Sequence, residues 1–410
     1  MQNRKIQNRK SKIVNRKSFL RYIAQTSPDP AGFEVSRGEG IYLFDQNGTP
    51  FIDCISGIAV SSLGHGHPKI LNAIRAQLDL HLHTQVYGEH ILKSQVALAE
   101  KLVQVLPPSL TTSYFTNSGA EAVEGALKLA RKYSGRYEII SCRNAYHGST
   151  AGAESLRSDL AYTSAALPLV PGIRHIDFNS FDELNSITSK TAAIIIEPIQ
   201  GEAGVIIPKE GYLNAIRSKC DETGTLLILD EIQTGMGRTG TLWAFQQEDM
   251  IPDILLLAKA FGGGLPLGAF ISGEKIMSVL SDHPPLGHLT TFGGNALSCA
   301  ASLAALNIII EENLHHQAIA KGNKIREALT PHSAIHEIRN RGLLMAIELK
   351  KPKLLFEAVK ACNKEGLLVD WFLFNDRSLR LAPPLVISDE EIELMCRKLS
   401  KALDTIGSGH

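Results

Sequence analysis

Two short apolar runs in this 410-residue chain each end in a charge. Leu226-Leu227-Ile228-Leu229 stops at Asp230 and continues as Glu231-Ile232-Gln233-Thr234-Gly235. Leu255-Leu256-Leu257-Ala258 stops at Lys259, 29 residues after Asp230, and continues as Ala260-Phe261-Gly262-Gly263-Gly264. Such runs read as buried parallel strands, and open α/β sheets bind ligands at the carboxyl ends of their strands. A carboxylate there stabilises a protonated heterocyclic nitrogen through opposite charge. A desolvated lysine titrates low and becomes nucleophilic. Singly, each residue has a plainer reading: Asp230 as an N-cap or surface acid, Lys259 as a surface lysine whose stem lies on apolar neighbours. Together they suit a cofactor that condenses with an amine and wants its ring nitrogen held by an acid. Pyridoxal phosphate (PLP) is such a cofactor.

Other stretches fit the same chemistry. Asn117-Ser118-Gly119-Ala120-Glu121-Ala122 follows a strand and opens a helix, whose free N–H groups and dipole favour a phosphate. Gly119 allows close backbone approach and Ser118 offers a hydroxyl; an ordinary capped helix is the alternative. Tyr146, after the strand Tyr137–Ser141, reads as a stacking partner for a flat ring or as a core aromatic. Gln233 lies within reach of a ring oxygen. Gly64-His65-Gly66-His67-Pro68 holds two histidines, but no third ligand stands at a metal-binding spacing, so it reads as a loop and no metal is expected.

Composition bounds the class. The chain is 44% apolar and 20% charged with zero formal net charge, which offers no argument for nucleic acid. Residues 1–21 carry Arg4, Lys5, Arg9, Lys10, Lys12, Arg16, Lys17 and Arg21 and no acid. Asn-Arg-Lys recurs at 3–5, 8–10 and 15–17, so residues 1–24 are expected to be a disordered basic tail. A transit peptide would share that charge but not the missing apolar face. The six cysteines are scattered without a CxxC, which fits a reducing cytoplasm. No apolar run reaches a membrane span; Ala296–Ile310 is the nearest, interrupted by Ser298, Ser302 and Asn307.

From about 90 to 290, strands alternate with helical patterns, which predicts a mainly parallel sheet with helices on both faces. Ala120–Lys132 is one such helix, with Val123, Ala126, Leu127 and Ala130 on one stripe. Gly40–Asp45 and Pro50–Asp53 flank Asn47-Gly48 as a hairpin. Residues 25–60 and 300–410 are read as one smaller α+β domain, and 61–299 as the large domain. Ser388 and Glu391 form a capping box for a final helix.

In order along the chain, several motifs resemble the class III (ω-amino-acid) PLP-dependent aminotransferases, the acetylornithine and ornithine enzymes above all. They are Gly57-Ile58-Ala59-Val60 with the histidine loop, Asn117–Ala122, Tyr146-His147-Gly148 and Glu197-Pro198-Ile199-Gln200-Gly201-Glu202. Asp230–Gly240, Lys259, Thr291-Phe292-Gly293-Gly294-Asn295 and Arg380-Leu381-Ala382-Pro383-Pro384-Leu385 complete the set. The resemblance implies fold type I, with a mainly parallel seven-stranded sheet. It makes Lys259 the Schiff-base lysine and proton carrier, and Asp230 the partner of the pyridinium. Gln233 contacts the 3′ oxygen, Tyr146 and Ile232 sandwich the ring, and Ser118, Gly119 and Ala120 hold the phosphate. Thr291 reaches the phosphate of a neighbouring subunit, so a homodimer is implied. Arg380 binds the α-carboxylate of the acceptor, 2-oxoglutarate, and Glu202 covers it when an ω-amine enters. The implied reaction is a ping-pong transamination.

One position departs from the family pattern. An arginine that binds the donor's distal carboxylate typically follows the aromatic-X-Gly motif; here Ser149 stands there, and a hydroxyl is no substitute for a charged fork. Either the donor lacks that carboxylate or another base such as Arg157 takes over. Gly57 leaves the open space of an acylornithine-type pocket. Beside an acetylornithine-type donor stand 4-aminobutyrate, lysine or a diamine, and beside transamination an aminomutase on the same scaffold.

Overall fold

The structure, a computed structural model, describes residues 16–248 and 250–407. Its centre is a seven-stranded sheet. In spatial order the strands are Thr112–Thr116, Gly268–Ser272, Ile254–Leu257, Leu226–Asp230, Thr191–Ile196, Glu138–Cys142 and Ile173–Ile176. Gly268–Ser272 runs antiparallel to both neighbours. The other neighbours pair in parallel, as the alternating pattern predicts. Thr191–Ile196, Leu226–Asp230 and Ile254–Leu257 are buried at every residue. Alternation divides them between two faces: Ala193, Ile195, Ile228 and Leu256 pack under one helical layer, whereas Ile194, Ile196, Leu227 and Leu255 join the larger core on the other side.

Helix Gly119–Ser134 covers the first face with Ala122, Val123, Ala126, Leu127 and Ala130, and stops at Gly135, whose φ of 69° only glycine adopts without cost. Ala296–Glu311 is apolar all round because it is buried between helices Pro68–Leu78 and Lys93–Val105 and the large sheet's turns. No single helix among the described residues is long and apolar enough to cross a bilayer.

Two smaller sheets flank the large one. Arg37–Glu39, Tyr42–Phe44 and Pro50–Asp53 form a meander, and Leu367–Leu368 adds to it in parallel, so the N-terminal strands and the C-terminal region share a sheet. The predicted hairpin is there, with Tyr42 opposite Ile52. Ile335–Arg341, Leu344–Leu349, Asn375–Leu381 and Asp370–Phe372 form an antiparallel sheet, packed against helices Leu314–Leu329 and Leu355–Lys364, which in turn contact the final helix Asp389–Gly407. That helix begins with the reciprocal bonds expected of Ser388 and Glu391, at 2.9 and 3.2 Å. Residues 1–15 of the basic tail lie outside the described residues. The expectation of a structureless segment up to 24 needs shortening, because Arg16–Tyr22 is a helix, though with no buried residue; the Arg16 guanidinium reaches the Pro30 carbonyl at 3.5 Å.

Gly125, inside helix Gly119–Ser134, tests how tightly that helix sits. A Cβ there would fall inside the van der Waals envelope of the Phe270 ring, which is fully buried and stacked on Tyr114 at 4.9 Å. Gly125→Ala gains roughly 1 kcal/mol of helix propensity and loses roughly 1–3 kcal/mol to overpacking. A lower denaturation midpoint is expected; an unchanged or higher one would show that the helix can lift from the sheet.

Candidate active site

Parallel register fixes the floor of the site. Asp230 pairs with Leu256 across the sheet, so Lys259 emerges three residues beyond the carboxylate's own neighbour. Ala258 is extended, and Lys259 then turns left-handed at φ 51° to open the short 3-10 turn Lys259–Gly262. A positive φ at a non-glycine residue is strained, of order 1 kcal/mol, and such strain gathers at functional sites. Burial pulls the Lys259 ammonium below the usual lysine value, with Arg380 adding to the pull while Glu202, Asp230 and Glu197 oppose it.

Above this floor is a cavity of about 670 Å³. Ser118, Gly119, Ala120, Tyr146, Glu202, Asp230, Ile232, Gln233 and Lys259 all line it. Nine positions read from the sequence as site residues thus converge. Ser118 caps helix Gly119–Ser134, its Oγ accepting from Glu121 N at 3.2 Å. Gly119 packs closely on Ile232: a Cβ there would stand 2.8 Å from Ile232 Cδ1, so that side chain would have to shift. Gln233 Nε2 donates to Glu202 Oε1 at 3.5 Å.

Three residues stand outside that lining. Arg380 is 3% exposed and lies behind Glu202. Thr291 is exposed, next to Thr290, whose Oγ1 accepts from Asn117 Nδ2 at 2.8 Å. Gly57 belongs to a left-handed turn in which Ser56, Gly57, Ile58 and Ala59 all have φ between 50° and 64°. That turn brings Val60, and not Gly57, to the cavity. A Cβ at Gly57 would meet nothing closer than Val60 Cβ at 4.0 Å, but the space beside it is not part of the cavity lining.

The sequence reading left several groups without a role. His147 is fully enclosed and its Nδ1 lies 2.7 Å from Asp230 Oδ2, while Asp230 Oδ1 accepts from Ile232 N at 3.0 Å. Glu197 accepts from Tyr146 N at 3.1 Å and Gly201 N at 2.9 Å. Burial pushes the Glu197 carboxyl up to about 7; Asp230 adds to the rise, while His147 and the backbone donors restrain it. Glu197 ends an apolar strand exactly as Asp230 does in type, so the same signal could have found it. Asp370 grips Arg380 in a two-point contact, Nε to Oδ1 at 2.8 Å and Nη2 to Oδ2 at 3.0 Å. Trp371 O takes another Nη2 proton at 2.7 Å, and Glu202 takes Nη1. Burial opposes the Arg380 charge, but Glu202 and Asp370 outweigh it and hold the guanidinium above its usual value.

These features fit PLP. A helix N-terminus with a glycine-width approach suits its phosphate, a buried carboxylate suits its ring nitrogen, and an unpaired, desolvated amine suits its aldehyde carbon. No hydrogen bond or ion pair among the described residues occupies Lys259 Nζ.

Comparison with known proteins agrees. The family model for class-III aminotransferases matches residues 22–403. The ornithine aminotransferase of Toxoplasma gondii ME49 is 31% identical, with a TM-score of 0.90 over 96% of this chain and 95% of that one. The acetylornithine aminotransferase of Elizabethkingia anophelis is 32% identical, with a TM-score of 0.82 over 95% and 98%. A thermostable (S)-enantioselective omega-transaminase of Thermomicrobium roseum is 29% identical, with a TM-score of 0.88 over 95% and 97%. The chain belongs to the class III aminotransferases. It is a PLP-dependent aminotransferase of fold type I.

The Glu197 carboxyl gives this site a pH signature. Between its ordinary value of 4.5 and about 7, the folded chain holds a proton that the unfolded chain has released. Stability from this group therefore falls as pH rises through that window, by roughly 3 kcal/mol in all. In cofactor-free protein, Glu197→Gln should gain stability relative to the parent as pH rises from 4.5 to 7, whatever constant offset the amide introduces. Parallel stability–pH curves in urea titrations would refute the raised value.

Proposed function

We propose that the chain transfers the amino group of an ω-amine donor bearing a distal carboxylate, of the acetylornithine and ornithine type, to 2-oxoglutarate by a ping-pong route. The convergence of Lys259 and Asp230 on one cavity, with Arg380 closed off by Glu202 at its edge, carries this reading. The named substrates of the ornithine and acetylornithine aminotransferases at 31–32% identity support the donor class.

When bound, PLP supplies the electron sink that lets a carbon–hydrogen bond beside nitrogen be broken. Lys259 Nζ would hold the cofactor's aldehyde carbon and, as a free amine, would be the base within reach of the donor carbon bearing the amino group. Lowering of its proton affinity by burial keeps a neutral, basic fraction available. Asp230, oriented by His147 and the Ile232 amide, holds the ring-nitrogen proton. Ser118, Gly119 and Ala120 anchor the phosphate.

Glu202 and Arg380 let one cavity take two kinds of substrate. With an ω-amine, Glu202 stays on Arg380 and the guanidinium is silent. With 2-oxoglutarate, Glu202 withdraws and frees the Nη1 edge for the α-carboxylate, while Asp370 still holds the Nε and Nη2 edge. A homodimer is part of this reading. Leu80, at 72% exposure, and Leu82 lie in one segment, and Leu289 and Phe292 in the segment that carries Thr291; all four are exposed apolar side chains. The His83 ring lies against that of Phe292, tilted, at 4.8 Å, and joins the two segments. An exposed apolar patch of this kind fits a protein interface, and a second copy seated there would bring Thr291 to its partner's phosphate.

The direct test is single turnover of the PLP form against N-acetylornithine, N-succinylornithine, ornithine, lysine, 4-aminobutyrate and putrescine, followed by loss of the cofactor's absorbance. Fast conversion of an ornithine derivative is expected; conversion of putrescine alone would overturn the donor class. Arg380→Lys keeps a cation against Glu202 and Asp370 but loses the planar fork. It should raise the KM for 2-oxoglutarate about tenfold or more and leave the putrescine half-reaction within about twofold. Equal losses in both halves would remove Arg380 from acceptor binding.

A further inference from the structure

Arg157, 7% exposed, has no part in the chemistry so far. Its guanidinium lies 4.7 Å from the Tyr146 ring centroid and 5.8 Å from that of Tyr162. Nη1 donates to Glu154 Oε1 at 3.2 Å; Nη2 donates to Gly148 O at 3.1 Å and to Ser149 Oγ at 2.8 Å. Ser149 holds the place where the family pattern has an arginine, and it lines the cavity.

The direction of that last bond matters. A serine hydroxyl has one proton and two lone pairs. With Nη2 donating into one lone pair, the proton of Ser149 is left for another acceptor. Thr150, also in the cavity lining, has a buried Oγ1 with no partner. Two adjacent hydroxyls with protons to give, backed by a guanidinium, are matched by a ligand group with several lone pairs and negative charge. Glu154 sits on the Nη1 edge, so the Arg157–Glu154 pair leaves its positive end toward Ser149.

We propose that Ser149, Thr150 and Arg157 form the subsite for the donor's distal carboxylate. The Ser149 hydroxyl donates to it directly, and the enclosed Thr150 hydroxyl does so after rotation about its χ1. Arg157 is a positioning residue: it fixes the Ser149 rotor and supplies, one hydroxyl further back, the charge that an arginine at 149 would have supplied. This rests on the donor class proposed above.

The test is calorimetric binding to the PLP-loaded enzyme, with no turnover. N-acetylnorvaline keeps the distal carboxylate of acetylornithine and lacks the reacting amine; N-butylacetamide lacks both. The parent enzyme should bind N-acetylnorvaline about tenfold or more tightly than N-butylacetamide. Ser149→Ala and Arg157→Met should each erase most of that preference while changing N-butylacetamide by less than about twofold. Arg157→Lys should recover part of it, and the Ser149→Ala/Arg157→Met pair should lose no more than Arg157→Met alone, because the two act as one unit. A preference that survives Ser149→Ala and Arg157→Met places the carboxylate elsewhere and overturns the subsite. Equal weakening of both ligands reduces Arg157 to a structural role and also overturns it. No preference in the parent enzyme defeats the donor class itself, a different result from either. Should Arg157→Met fail to fold or to retain cofactor, Ser149→Ala, which removes one hydroxyl, decides alone.

Discussion

A carboxylate at the end of a wholly buried strand is the constraint around which the site is built. Taking Asp230 out of water is costly unless its oxygens are bonded, and each has a partner: His147 on Oδ2, the Ile232 amide on Oδ1. A second acid, Glu197, ends the adjacent strand. Two bare negative charges so close would repel, and burial with Asp230 nearby pushes Glu197 up to about 7. The result is asymmetric: one carboxyl reserved for the cofactor's ring nitrogen, the other binding backbone amides that shape the Tyr146 and Gly201 turns. A side chain at Gly201 would have to displace the Gln233 amide. Lys259 then needs no separate placement, because the sheet register that buries Asp230 also sets where the next strand ends.

That dependence explains what could be read from residues alone. Asp230 and Lys259 were visible because the signal is local, a short apolar run ending in charge. Ser118 to Ala120 were visible because a cap, a glycine and a helix follow one another in sequence. The Asp370–Arg380 contact was not, since it arises from pairing of strands Asp370–Phe372 and Asn375–Leu381, where the register sets residue 370 opposite 380. Ile335–Arg341 escaped notice because its residues are largely half-buried or exposed and alternate weakly, and Ile173–Ile176 because it is an edge strand of mixed polarity. The left-handed turn at Ser56–Ala59 has no sequence signature beyond Gly57. It is held by Asp53 Oδ1, which accepts from Ser56 N at 2.8 Å, and by Ser56 Oγ on Ala382 O at 2.8 Å, a contact with a residue far along the chain.

The gate proposed at Arg380 rests on how completely Glu202 is bonded where it lies. Glu202 is held by the Arg380 Nη1 edge, by Gln233 Nε2 at 3.5 Å and by Leu373 N at 3.1 Å, while its own carbonyl accepts from Phe374 N at 3.0 Å. Opening it strips a buried carboxylate of several donors, which is costly unless something replaces them. On the proposed reading, an incoming α-carboxylate would replace Glu202 on the guanidinium, so the cation would never be left bare; a neutral or cationic end group would not. The closed state is therefore the default, and only a ligand with a carboxylate at that position shifts the balance. Gln233 makes the same point from the cofactor side. The family resemblance implies that its amide contacts the ring's 3′ oxygen, and here it also touches Glu202, so one residue would serve both the cofactor and the gate. On the proposed reading, acceptor selection would be coupled to the cofactor through one amide.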